Sequence, residues 1–383
     1  MPKKTESNPV RDLASELNKK FKSVDKVAYF LDGSEFAPSD ITEWISTGSS
    51  MLDIAISNRK NGGFPVGRIT EIAGLEASGK SLLAAHALKS TQEKDGIAVY
   101  IDTENAVSRE FFSAIGVDMS RVLYLSLETV EDIFQAIEEI ISKVRSSERD
   151  RLVTIVIDSI MGASTKMETA ADYDKDGYAT AKALILSKAM RKITNHLGRE
   201  RICLIITNQL RVRLNAPMYA DQYTTSGGKA IAFHSSVRIR LKSKAKLKVK
   251  NDGLENVVGI KTIAEVHKNR LGPPLRSIEY DIYFDSGIDD YGSWLTIMKE
   301  RNLVSVSGAW YTYKVVDEAT GEVLDEIKFQ SKQFYEKVVS IPQYRDIVYN
   351  QICKELIVKY KINQDIGIDD IHIDETQPSE DEE

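Results

Sequence analysis

From Arg68 onward, short and almost wholly apolar runs alternate with longer helix-like stretches. The short runs are Ile69–Ala73, Ile97–Asp102, Val122–Leu125, Leu152–Asp158 and Ile202–Asn208. Apolar runs of this length, rich in β-branched residues and without polar alternation, are strands buried on both faces. Strands that alternate with helices pair mostly in parallel, so the pattern predicts an α/β fold around a mainly parallel sheet.

The chain on either side reads differently. Leu13, Leu17 and Phe21 fall at helical spacing, and Val27–Leu31 reads as a strand closed by the turn signal Asp32-Gly33. With nothing local to pack against, this short helix and strand either fold back on the core or dock on a neighbouring subunit. After Asn208, Val237–Lys250 and Val257–His267 read as two long strands around Asn251-Asp252-Gly253, a hairpin. Past Gly287 a smaller α+β unit runs to about Lys361. The expected organisation is an N-terminal element over 1–35, a core over 36–287, a small C-terminal domain over 288–361 and a tail over 362–383.

At 383 residues the chain is longer than one ordinary domain, which suits a large core with smaller attachments. No apolar run approaches the roughly 20 residues that cross a bilayer, and the start lacks the hydrophobic stretch of a signal peptide. The expected location is the cytoplasm. Cys203 and Cys353, both in apolar contexts, read as buried thiols, in keeping with a reducing compartment. The net charge of −6 conceals a segregated distribution, because from Asn363 onward there is no Lys or Arg while acidic residues accumulate to the closing Glu380–Glu383. That end has too little apolar surface to fold alone and reads as a disordered tail, either solubilising or regulatory.

Chemistry enters between the first core strand and the helix after it. Gly74-Leu75-Glu76-Ala77-Ser78-Gly79-Lys80-Ser81 fits G-x-x-x-x-G-K-[ST] in the strand–loop–helix context that this phosphate-binding loop requires. Its backbone N–H groups close around phosphates, Lys80 adds charge at the β- and γ-phosphates, and the Ser81 hydroxyl is placed to ligate Mg²⁺. ATP and Mg²⁺ are the expected ligands. The strand Leu152–Ile157 ends in Asp158, a carboxylate at the sheet edge within reach of the metal's water shell. Glu104, just beyond the strand ending at Asp102, is a second acid at the same edge, suited to orienting and deprotonating an attacking water. The histidines and cysteines show no zinc spacing, and no G-x-S-x-G elbow is present.

With these residues in place, the chain resembles the RecA family of recombinases over roughly Ile41 to Lys314. Ile45–Ser49, Gly67-Arg68-Ile69, the phosphate loop, Ile101-Asp102-Thr103-Glu104, Ala189–Lys192, Thr207–Arg211, Thr224–Gly228 and Gly308–Tyr311 follow in the family's order. The resemblance implies a DNA-dependent ATPase that forms helical filaments on single-stranded DNA and pairs it with duplex DNA. Its implied partners are both forms of DNA, further copies of itself, and single-strand-binding and loading proteins. It makes Glu104 the catalytic glutamate, Phe111 the aromatic neighbour of adenine and Gln209 the γ-phosphate sensor. Lys268 and Arg270 match the basic pair that reaches a neighbour's ATP. The second DNA loop, about Arg211 to Gly227, brings Arg211 and Arg213 for phosphates, Tyr219 and Tyr223 for stacking, and Gly227-Gly228 for backbone freedom. The first, about Glu168 to Gly177, departs from the bacterial pattern in being acidic and carrying Tyr173. A hexameric helicase of the same core, and a mediator using ATP only structurally, are the alternatives.

One feature stands apart from the resemblance. Arg238, Arg240, Lys242, Lys244, Lys246, Lys248 and Lys250 recur with period two, which on a regular strand places them on one face. They read either as a phosphate track or as a solvated edge.

Overall fold

The computed structural model describes residues 8–21, 26–32, 34–35, 37, 39–147, 151–171, 178–213, 217, 221–225, 227–251, 254–317 and 320–360. The chain forms two compact units that divide after Thr42.

In the first unit, α1 (Pro9–Lys20) starts where the Asn8 side chain accepts from the Val10 N–H and proline fills the first turn. Leu13 and Leu17 fall on this helix and Phe21 caps it, and none of its residues is buried. The strand expected at Val27–Leu31 is absent. A strand needs a partner edge, and the described residues of this unit contain no other strand. Asn18 takes the available backbone groups instead, accepting from the N–H of Val27 and of Ala28 and donating to the Ala28 carbonyl.

The second unit opens with β1 (Trp44–Ile45), α2 (Ser50–Ser57) and β2 (Phe64–Pro65). The alternating region follows: β3 (Ile69–Gly74), α3 (Lys80–Glu93), β4 (Ile97–Asp102), α4 (Arg109–Ala114), β5 (Val122–Ser126), α5 (Val130–Ser147), β6 (Val153–Asp158), α6 (Lys166–Thr169), α7 (Tyr178–Arg199) and β7 (Ile202–Val212). Next come β8 (Tyr223–Thr225), α8 (Lys229–His234), the hairpin β9 (Val237–Asn251) and β10 (Leu254–Asn269), β11 (Arg276–Tyr283) and β12 (Gly287–Asp289). The main sheet runs β5-β4-β6-β7-β3-β9-β10-β11-β12. It is parallel from β5 to β9 and antiparallel beyond, the α/β class that the alternation predicts.

Helix periodicity decides which faces are buried. On α5, Val130, Ile133, Phe134, Ile137 and Ile141 are spaced by three and four and all lie in the core, as do Leu186, Met190, Ile193 and Leu197 on α7. Both stripes pack on the β-strand residues Ile69, Val99, Ile101, Ile155, Ile157, Leu204 and Ile206. At about 1.5–3 kcal/mol for each buried side chain, this face contributes heavily to fixing the strand ends that carry the chemistry. A second core joins α9 (Asp290–Glu300), β13 (Ser305–Ser307), β14 (Trp310–Val316), β15 (Val323–Gln330) and α10 (Pro342–Leu356), with Met51 and Ile54 of α2 built into it. Cys203 and Cys353 are free and buried.

The hairpin pairs out to Asn251 and Leu254, as the turn signal predicts, but its basic residues do not share one face. Between the pairs Ser243–Thr262 and Ala245–Lys261 the register skips Lys244, a bulge, and each one-residue slip inverts the alternation. Arg240 and Lys242 therefore stand with Glu265 and Ile263, whereas Lys246 stands opposite Ile260 on the other face.

Candidate active site

The C-terminal edge of the parallel strands gathers the residues that the motifs single out. β3 ends at Gly74 and α3 begins at Lys80, so the phosphate loop spans the sheet edge and a helix N-terminus. A Cβ on Gly74 would lie 2.4 Å from Ser78 Oγ and 2.9 Å from the Leu241 carbonyl oxygen, which explains glycine there. Ser78 Oγ donates to the Leu75 carbonyl at 2.8 Å. Lys80 Nζ donates to the carbonyls of Gly74, at 3.0 Å, and Leu75, at 2.8 Å. Burial lowers the Lys80 pKa, and the negative charges of Asp158, Glu104 and Glu76 oppose the shift.

Ser81, Glu104, Phe111 and Asp158 line one cleft of about 150 Å³ together with Tyr100 and Asp102. Two larger hollows, of about 510 and 310 Å³, lie elsewhere and contain none of the phosphate-loop residues. Asp158 ends β6 and is fixed from both sides, by Tyr100 Oη donating to Oδ2 and Thr207 Oγ1 donating to Oδ1, each at 2.5 Å. Burial, together with the Asp158 charge, drives the Tyr100 pKa upward, so this phenol stays a donor. Glu104 follows β4 in a loop organised by Asp102, whose carboxylate accepts from the N–H groups of Glu104, Ala106 and Val107. Ser159 Oγ donates to Glu104 Oε1 at 2.8 Å. Phe111 packs beside Phe112, with ring centroids 6.2 Å apart. Gln209 neighbours Gly74 in the β3–β7 register, next to the first residue of the phosphate loop.

β7 continues past Gln209 to Val212 because β8 pairs with the extension, Arg211 opposite Thr224 and Val212 opposite Tyr223. Arg211, Arg213 and Tyr223 thus sit on an antiparallel ribbon that leaves the sensor position directly. Gly227 and Gly228 have φ of +93° and +77°, a region that favours glycine. Tyr219 lies outside the described residues, as do Asp172–Gly177 of the first loop and the tail from residue 361.

Lys268 and Arg270 are not brought to this cleft. They close β10 next to Val237 and Arg238, at the N-terminal edge of the parallel strands, while the phosphate loop leaves the opposite edge beside Leu241. Lys268 Nζ donates to the carbonyls of Ala232 and Phe233, and Arg270 Nη2 to that of Phe233, at the C-terminal end of α8.

Most of the basic ladder has carboxylate partners. Arg238 pairs with the buried Glu71 at 2.6 Å, Arg240 with Asp221 at 2.5 Å, and Lys242 with Glu265 and Lys248 with Glu255 at 2.9 Å each; Lys244 pairs with Glu279. The sequence reading missed Tyr100, Thr207 and Ser159, which hold the two acids. Tyr100 and Thr207 are buried in apolar strands, where a tyrosine or threonine reads as core.

A parallel sheet with a glycine-rich phosphate loop at the end of one strand and carboxylates at the ends of two others, β6 and β4, defines a P-loop nucleotide-binding protein. A family model described as the RecA N-terminal domain matches residues 12–289. The protein named Protein RecA of Citrifermentans bemidjiense is 36% identical over 311 residues, 81% of this chain and 86% of its own length. That of Desulforapulum autotrophicum is 36% identical over 291 residues, covering 76% and 78%, and that of Rippkaea orientalis 33% over 314, covering 82% and 83%. The chain belongs to the RecA family.

Proposed function

We propose that this protein is an ATP-driven recombinase that polymerises head to tail on single-stranded DNA and pairs that strand with a matching duplex. The observation that supports this best is the continuity of β7. One strand carries Gln209 beside the phosphate loop and then, without a break, Arg211 on the ribbon toward DNA. A contact made at the phosphate is thereby converted into order in the loop.

The donor set fits Mg²⁺-ATP: the close-packed Gly74 leaves the loop backbone free to wrap phosphate, and a hydroxyl and two acids stand at its metal side. Bound ATP and Mg²⁺ supply the phosphoryl group to be transferred and the charge that neutralises it. Gly74, Glu76, Ala77, Ser78 and Gly79 would cradle the phosphates, Lys80 would add charge at the β- and γ-phosphates, and Ser81 and Asp158 would hold the metal. Glu104 Oε takes the proton of the attacking water, giving ADP and phosphate. Phe111 stacks on the base. Lys268 and Arg270, remote from the cleft of their own chain, act on the ATP of the next subunit.

In this reading residues 1–35 form the polymerisation element. The exposed apolar side chains of α1 are suited to a neighbouring copy, and Val27–Leu31 gains a strand partner there. Residues 288–361 are a C-terminal domain and 362–383 an acidic tail. Buried free thiols suit the reducing cytoplasm.

Electron microscopy with single-stranded DNA and a slowly hydrolysed ATP analogue tests the proposal. Extended helical filaments that need the analogue, together with DNA-stimulated hydrolysis, are expected. Closed rings, or DNA binding indifferent to nucleotide, would overturn it.

A further inference from the structure

Beneath the sensor position, an otherwise apolar sheet face changes character. Ile69 on β3 and Leu204 and Ile206 on β7 belong to the main core, but the next positions on that face are Glu71 and Asn208, both fully buried. On β9 they meet Arg238, 15% exposed. Burying such groups is costly unless each finds a partner, and here the partners form one chain across three neighbouring strands. The Gln209 N–H donates to Asn208 Oδ1 at 2.9 Å, and Asn208 Nδ2 donates to Glu71 Oε1 at 2.8 Å. Arg238 Nε donates to Glu71 Oε2 at 2.6 Å, and its Nη2 reaches Thr225 Oγ1 at 3.3 Å. Thr225 lies on β8, the return strand of the second loop, and Arg240 holds Asp221 just before that strand.

We infer that Glu71 and Arg238 are positioning residues that transmit nucleotide contact at Gln209 to the far end of the second DNA loop. The inference rests on the recombinase reading of Gln209 and that loop. The outgoing end of the loop is continuous with Gln209 through β7. Its returning end is tied to the same point twice, through the Leu210–Thr225 pair of the β7–β8 ribbon and, across the sheet, through Asn208, Glu71 and Arg238. The planar guanidinium of Arg238 reaches Glu71 and Thr225 at once, and a single ammonium in its place keeps the contact to Glu71 but not that to Thr225. The pair thus adds to the β7–β8 ribbon a side-chain tie from the returning end of the loop to the strand that begins the phosphate loop. Linkage makes the effect reciprocal, so DNA on the loop strengthens nucleotide binding by the same factor.

The test uses the full chain, a fluorescent oligo(dT) and a slowly hydrolysed ATP analogue. The quantity measured is the ratio of DNA dissociation constants without and with the analogue. Arg238→Lys keeps the charge opposite Glu71, so the protein is expected to melt near the wild-type temperature while the ratio falls by about fivefold or more, on the scale typical of allosteric coupling. Glu71→Gln with Arg238→Gln, which removes the charge pair without leaving a lone buried ion, is expected to lose the ratio similarly and to leave nucleotide binding in the absence of DNA unchanged. Folded variants that keep the wild-type ratio overturn the inference, and a lowered melting temperature with an intact ratio assigns the pair a structural role only. A wild-type ratio near one would instead sink the recombinase reading on which it stands.

Discussion

Glu104 and Asp158 stand at the ends of adjacent strands with the same side of the cleft between them, yet their surroundings give them different work. Asp158 accepts from Tyr100 and Thr207, whereas Glu104 has a single side-chain donor among the described residues, Ser159, and lies exposed at the cleft mouth. Glu104→Gln is expected to leave nucleotide affinity nearly unchanged and to slow hydrolysis by on the order of 10²–10⁴. Single-turnover measurement of phosphate release decides it, and unchanged release would move the base elsewhere. A second residue-scale expectation concerns stability. Asp53 is buried, receives the Ser46 hydroxyl and the Thr47 N–H, and is pushed up to about 7, chiefly by burial. The unfolded chain releases this proton near 3.8 and the folded chain holds it to about 7, so its contribution to stability is full below pH 4 and lost by pH 7. Asp53→Asn does not titrate. Urea titrations should show it gaining on the wild type as pH rises from about 4 to 7, by on the order of a few kcal/mol, and level beyond. A difference independent of pH would contradict this. The acids of the cleft were legible in the sequence because strand ends are where such chemistry collects. Their holders Tyr100 and Thr207 were not, because hydrogen bonding across a sheet depends on strand order.

At the scale of elements, the β9–β10 hairpin shows where periodicity misleads. An unbroken alternation over Arg238–Lys250 describes a flat strand, but the bulge at Lys244 divides the ladder, and no local signal marks it. Glutamates on β10 and β11 then neutralise Lys242, Lys244 and Lys248, while Lys246 and Lys250 have no ion pair among the described residues. Replacing Lys244 and Lys248 with Gln is expected to leave the salt dependence of DNA binding unchanged. The same change at Lys246 and Lys250 should lower the log–log slope by roughly 1–2 units, at about 0.7–0.9 per phosphate. Equal slopes for both pairs would remove the arm from the DNA surface. The parallel strands, by contrast, were readable to within a residue except at the end of β7, whose extension past Asn208 depends on pairing with β8. Val27–Leu31 has strand composition and no strand, since the described residues of its own unit offer no second strand to pair with.

For the whole molecule, the decisive fact is that the phosphate loop and the Lys268–Arg270 pair leave opposite edges of one sheet. A chain that lacks Lys80 still offers its basic pair, and a chain that lacks Arg270 still offers its phosphate loop. Lys80→Ala and Arg270→Ala proteins are each expected to be inactive in DNA-stimulated hydrolysis. An equal mixture should recover roughly a quarter of wild-type turnover, the share of random head-to-tail contacts that join two intact halves. No recovery from folded, DNA-binding proteins would show the pair to act within its own chain.

In the proposed filament, where the pair serves the ATP of the next subunit, the same opposition gives the polymer a direction and a tally. An open row of n chains contains n−1 complete catalytic junctions, because the last chain at one end lacks a donor of cations and the first at the other has no nucleotide to serve. Specific turnover should then climb with oligomer length and saturate. The two termini would also differ in kind: hydrolysis at the last junction would free a chain that still carries its own unhydrolysed nucleotide at one end, and at the other a chain whose nucleotide has been spent.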